Sequence, residues 1–137
     1  MPDMAFSTRP GLYLLVHNRQ PPEPAIWNQY LAELDRQRTL ITRVRTLVFS
    51  DGGGPSLVQR RQLNEILRGY STLVAVVSTS SLVRNIVRAL NVFNPDIRVF
   101  PPASVEGAYQ HLLLSSEERR WSTAERERLT IQLAPTR

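Results

Sequence analysis

Four short apolar runs, each followed by a segment whose apolar residues recur every three or four positions, set the pattern of this chain. Leu12–Val16 is the first run. After Pro24, residues Ala25–Arg38 carry Ile26, Trp27, Tyr30, Leu31 and Leu34 at helical spacing, which predicts one buried face. Val44–Phe49 predicts the second strand, and Ser56–Arg68 a helix with Leu63, Ile66 and Leu67 inward and Gly69 as its stop. Leu73–Val77 is the most hydrophobic run and is expected near the middle of the sheet. Ser78–Ser81 then supplies cap residues for a helix carrying Leu82, Val83, Ile86, Val87 and Leu90. Asn94–Asp96 turns the chain into a fourth strand, Ile97–Phe100. Pro101 and Pro102 end it, and Ser104 is placed to cap a last core helix with Val105, Ala108, Tyr109, Leu112 and Leu113 inward.

Strands alternating with helices predict an α/β sandwich around a mainly parallel sheet with right-handed crossovers. Three segments follow: residues 1–10 as an N-terminal arm or edge strand (Ala5–Thr8), residues 11–114 as the α/β domain, and residues 115–137 as a charged helical tail. Ser122 with Glu125 three positions on has the form of a capping box, so the tail reads as a helix on the surface or reaching a partner.

Composition narrows the function classes. The 137 residues are 42% hydrophobic and 21% charged, suited to one domain with a single core. No apolar run approaches the roughly 20 residues that cross a bilayer. The first ten residues show no secretory pattern, and a cytoplasmic location is expected. Cysteine is absent, so disulfides, thiolate nucleophiles and thiolate metal sites drop out. All 17 basic residues are arginine, which removes a Schiff base and a phosphate-loop lysine. The net charge of +5 raises nucleic acid as a partner. Its arginines are scattered without interleaved aromatics, and such a partner is not expected.

Candidate chemistry gathers at the carboxyl ends of the strands, where parallel sheets bind ligands. The end of the second strand reads Ser50, Asp51, Gly52, Gly53, Gly54, Pro55 and Ser56. Three glycines permit positive φ and close approach of another group, and Pro55 suits a first helical turn. The other edges offer His17 and Asn18 after the first strand and Ser78, Thr79, Ser80 and Ser81 after the third. These residues can hold an anion or simply turn the chain and cap helices. A Ser–His–Asp set from Ser50 or Ser78, His17 and Asp51 lacks the nucleophile elbow. Zinc lacks a ligand set, and His111 reads as a surface or boundary residue. No cofactor or metal is expected.

The pattern of Leu73–Ser78, the helix holding Val83–Val87, Ile97–Pro101 and Ala108–Leu112 resembles the STAS family, specifically its SpoIIAA-like branch, which is itself similar to lipid-binding SEC14-type domains. The resemblance covers roughly Gly11 to Leu114. It implies that the four main strands lie in the order 2-1-3-4, with the first and third side by side, bringing His17 near Ser78–Ser81. It also implies a non-enzymatic regulatory domain, docking a protein partner of regulator or kinase type through the glycine turn and the following helix. A homodimer is a further arrangement. The family's switch serine follows its second parallel strand. Here Ser56 matches by position and Ser50 by proximity to Asp51, and a phosphate on Ser56 would face Arg60 one turn on. The SEC14 side implies instead a small-ligand or lipid site between sheet and helices. A third alternative is an enzyme acting on a phosphorylated small molecule through His17 and Asp51.

Overall fold

The structure is a computed structural model, and it describes residues 3–92 and 94–133. The extremities of the expected arm and tail, residues 1–2 and 134–137, lie outside the described residues. Strand β1 (Met4–Arg9) pairs antiparallel with β2 (Leu12–His17) through a tight turn at Pro10 and Gly11. Gly11 takes φ +73° there, a conformation that costs glycine little. Parallel strands β3 (Arg45–Ser50), β4 (Leu73–Val77) and β5 (Ile97–Phe100) follow in sequence. The result is a five-stranded mixed sheet in the order β1-β2-β3-β4-β5.

This corrects the expected four-stranded, mainly parallel sheet with order 2-1-3-4. The crossover helices α1 (Pro24–Arg36), α2 (Leu57–Leu67) and α3 (Ser81–Asn91) all pack on one face of the sheet. A right-handed crossover advances the sheet in one direction when its helix stays on one face. Each strand is therefore laid beside its predecessor, and the winding never reverses. The middle position falls to β3, and β2 and β4 lie on either side of it.

The opposite face is covered by α4 (Val105–His111) and α5 (Ser116–Leu133). Here the charged tail departs from expectation. Leu129 and Leu133 are buried in the core beneath β1 and β2, and Ser122 lies inside the helix, fully buried, rather than at its start. The capping box sits one helical segment earlier. Ser115 N–H donates to Glu118 Oε1 (2.9 Å) and Glu118 N–H donates to Ser115 Oγ (3.1 Å). α4 also stops earlier than its apolar pattern predicts. Leu113 takes φ +57° and turns outward, leaving Leu112 and Leu114 in the core. Ser104 stands at the cap position of α4 without a side-chain hydrogen bond.

Alternation along the strands separates two cores. Leu12, Leu14, Val16, Leu47, Phe49, Ala75 and Val77 face α4 and α5. Tyr13, Leu15, Val48, Val74, Val76 and Ile97 face the three crossover helices. On that face α2 is tied to α1, where Trp27 Nε1 donates to Gln62 Oε1 at 3.1 Å; within α1, Trp27 packs on Tyr30 with ring centroids 5.3 Å apart. α3 instead packs over β5. Among the described residues no helix is long and apolar enough to cross a membrane.

Candidate functional site

The glycine turn is built chiefly by packing within the chain. Ser50 Oγ donates to Gly53 O and accepts from Gly52 N–H (3.1 Å), pinning the turn from inside. Gly52 takes φ +121°, a region reserved for glycine. Gly53 and Gly54 are buried. Gly53 N–H donates to Asn18 O at 2.6 Å, and a Cβ placed there would stand 2.3 Å from Asn18 O and 2.7 Å from Gln20 O. The glycine therefore serves the close approach of the loop that follows β2. Gly54 faces Ile86 of α3, whose Cδ1 would lie 3.3 Å from a Cβ added there.

Ser50 and Ser56, the switch positions that the STAS resemblance implies, both hold structural bonds. Ser56 forms a complete capping box with Gln59: Gln59 N–H donates to its Oγ (3.2 Å), and Ser56 N–H donates to Gln59 Oε1 (2.8 Å). Arg60 donates from Nη1 to Pro55 O at 3.3 Å. Asp51 is exposed, with its carboxylate 3.6 Å from Arg19 Nε and its N–H donating to His17 O at 3.0 Å. At the third edge, Ser78 Oγ accepts from Ser80 N–H (3.1 Å) and Ser80 Oγ caps α3 by accepting from Val83 N–H (3.3 Å). Thr79 is exposed beside them, and Ser81 is the first residue of α3.

His17 pairs in register with Ser50, and Ser78 lies one strand beyond. The expected juxtaposition of His17 with Ser78–Ser81 is therefore replaced by a separation of two strand spacings, roughly 10 Å. His17 is 3% exposed, and its Nδ1 is buried without a hydrogen-bond partner among the described residues. Its imidazole has no side-chain bond to Asp51 there. Asn18 reaches the other way, donating from Nδ2 to Leu133 O (3.4 Å). His111 is half-buried, its Nε2 2.8 Å from Asp96 O, in keeping with a boundary residue. Among the described residues no group of three or more His, Asp or Glu is placed to hold a metal ion.

Burial pushes the His17 pKa from 6.5 to about 4. An unfolded chain takes up this proton near pH 6.5, whereas the folded protein stays neutral until about pH 4. The unfolded state thus binds more protons in that window, and stability falls as pH drops through it. The expected loss between pH 7 and pH 4 is about 3 kcal/mol. Denaturation midpoints measured from pH 7 to 4 check it, with the loss reduced in His17→Leu.

One apolar feature is not evident from the sequence pattern. Because α2 leans on α1 while α3 packs over β5, a crevice remains between them above the centre of the sheet. Its cavity volume is about 90 Å³, and most of its lining is apolar. Val48, Val74 and Val76 form the floor, with Leu63 of α2 and Ile86 and Leu90 of α3 as walls. His17, Gly53, Gly54 and Pro55 line the carboxyl end, and Thr46, Thr72 and Asn94 the opposite end. Asn94 is fully engaged there, accepting from Ser71 Oγ and Thr72 N–H and donating to Thr72 Oγ1. A readable signal did exist. Between Leu57 and Leu67, Gln59, Arg60, Arg61, Gln62, Asn64 and Glu65 leave α2 only a narrow apolar stripe with which to cover the sheet.

A second, polar cleft of about 310 Å³ lies across the same sheet edge on the α5 side. Val16, Phe49 and Val77 contribute to its lining with Asn18, Asp51, Thr79 and Thr130, and the Arg126 guanidinium sits 4.0 Å from the Phe49 ring centroid. Arg126 and Thr130 come from the charged tail, which the sequence pattern places on the surface or against a partner.

No protein-family model matches this chain, and neither a curated protein nor a solved structure matches it.

Proposed function

We propose that the chain is a binding module that takes a small, mainly apolar molecule into the crevice between α2, α3 and the sheet. The observation that carries this reading is the incomplete cover of the sheet centre. Val48 contributes to the clusters under both α1–α2 and α3, yet it remains only half-buried. Close-packed interiors rarely leave such space, and pockets for small molecules are concave and mostly apolar with a few polar groups. The volume limits the occupant to about a single ring or a short chain, since an engineered apolar cavity of about 150 Å³ admits benzene. This crevice is smaller but only partly enclosed.

Benzene is the simplest probe. The expected result is saturable shifts of the Val48, Val76 and Ile86 methyl resonances in the wild type and their loss in Val48→Phe, which fills the floor. A folded wild type whose methyl resonances do not respond would sink the reading.

A second reading, docking of a protein partner, is favoured by three aliphatic side chains. Leu57 and Val58 in the first turn of α2 and Leu82 in the first turn of α3 are 55%, 60% and 57% exposed. They flank the glycine turn, where the STAS resemblance puts a partner. A Leu57→Glu, Val58→Glu double variant separates the two readings: it abolishes partner binding but leaves benzene binding intact.

A further inference from the structure

Buried polar atoms are almost always hydrogen-bonded, because an unpaired one carries the cost of its lost hydration. Among the described residues two buried side-chain atoms lack partners, His17 Nδ1 and Ser122 Oγ. Ser122 belongs to α5, on the far face of the sheet. His17 is different in position. Alternation along β2 puts it on the same face as Tyr13 and Leu15, and it lines the carboxyl end of the crevice while also bordering the polar cleft on the α5 side. The polar side chains around it are already engaged: Ser50 with Gly52 and Gly53, and Ser78 with Ser80.

Resting on the binding reading above, we infer that the crevice selects a neutral molecule with an apolar body and one hydroxyl group, an alcohol or a phenol, whose hydroxyl bonds His17 Nδ1. The chemistry of the end wall sets this class. A neutral imidazole offers a donor at one ring nitrogen and an acceptor at the other, and a hydroxyl can serve as either partner. A carboxylate would bring an unpaired charge into an apolar crevice beside a ring that burial keeps neutral. A pure hydrocarbon would leave Nδ1 unpaired. The body of the molecule would lie along Val76 and Ile86, with the hydroxyl towards Gly53 and Gly54.

The test compares benzene with phenol by methyl-shift titration of the wild type, His17→Leu and His17→Gln. The expected result is a phenol-to-benzene affinity ratio that falls about tenfold in His17→Leu, because the hydroxyl then enters without a partner, and that recovers in part in His17→Gln. The thermal midpoint of His17→Leu is expected not to fall at pH 7, which separates a ligand-facing residue from a structural one. If both probes bind and the ratio is the same in all three proteins, the hydroxyl inference is overturned and the crevice reading stands. If neither probe binds the wild type, the crevice reading itself fails, and this inference fails with it.

Discussion

Gly53→Ala is expected to lower the stability of this protein by about 4 kcal/mol, at the severe end for a single added methyl group. The new Cβ would lie 2.3 Å from Asn18 O and 2.7 Å from Gln20 O, both of them backbone atoms. No side-chain rotamer change can relieve such a clash. The loop after β2 would have to move, breaking the 2.6 Å bond from Gly53 N–H to Asn18 O. That movement would also disturb the end of the crevice, because Gly53 and His17 both line it. Gly52→Ala is the informative comparison. A Cβ there meets nothing within 4 Å, so its cost comes from φ +121° alone and is expected at about 1–3 kcal/mol. Urea denaturation of both variants checks the order. Equal midpoints for Gly53→Ala and wild type would contradict the packing described for the turn.

Arg45→Met is expected to cost about 3 kcal/mol. Arg45 stands at the start of β3, and its guanidinium makes two contacts to the Glu118 carboxylate, at 3.0 and 2.5 Å. It also donates to the carbonyls of Gly11 and Leu112, both at 3.3 Å. The two side chains are only 21% and 14% exposed. Removing the cation leaves a half-buried carboxylate without its counter-ion, still accepting from Ser115 N–H, which is costlier than losing a surface pair. The same substitution should change the acid limb of stability. The Arg45 hydrogen bond is the main cause that holds Glu118 down to about 2, against 4.5 in the unfolded chain. A carboxylate depressed in this way contributes stability that is present above about pH 4.5 and is lost as pH falls towards 2. Arg45→Met should therefore be less stable at pH 7 and lose less on acidification. Denaturation at pH 7 and pH 3 measures both effects. A variant that keeps the wild-type pH dependence would show that Arg45 does not govern Glu118.

Much of this fold is legible in the pattern of apolar positions. Leu73–Val77 and Ile97–Phe100 are strands to the residue. Ser56 and Ser80 cap the helices that follow them, because both pair with an N–H three positions on. Sheet order was not legible, since local periodicity fixes where a helix buries its stripe but not which face of the sheet receives it. All three crossovers take the same face here, and the family-derived order assumed a reversal. The tail misled for a different reason. In α5, Leu129 and Leu133 reach the core between charged neighbours, and a stripe that narrow is masked by Glu125, Arg126, Glu127 and Arg128. Three adjacent glycines imply a close approach at this turn, and the approaching group at Gly53 is the chain's own Asn18–Gln20 segment. The crevice was the hardest feature to foresee. It arises from the space between α2 and α3, and its trace in the sequence is limited to the narrow apolar stripe of α2.

Benzene titration followed through the methyl resonances of Val48, Val76 and Ile86 bears most directly on the binding reading. The result expected is a saturable response confined to these crevice residues, abolished by Val48→Phe in a protein that remains folded. Shifts spread evenly over the exposed Leu57, Val58 and Leu82, or no saturable shift in the folded wild type, would contradict it.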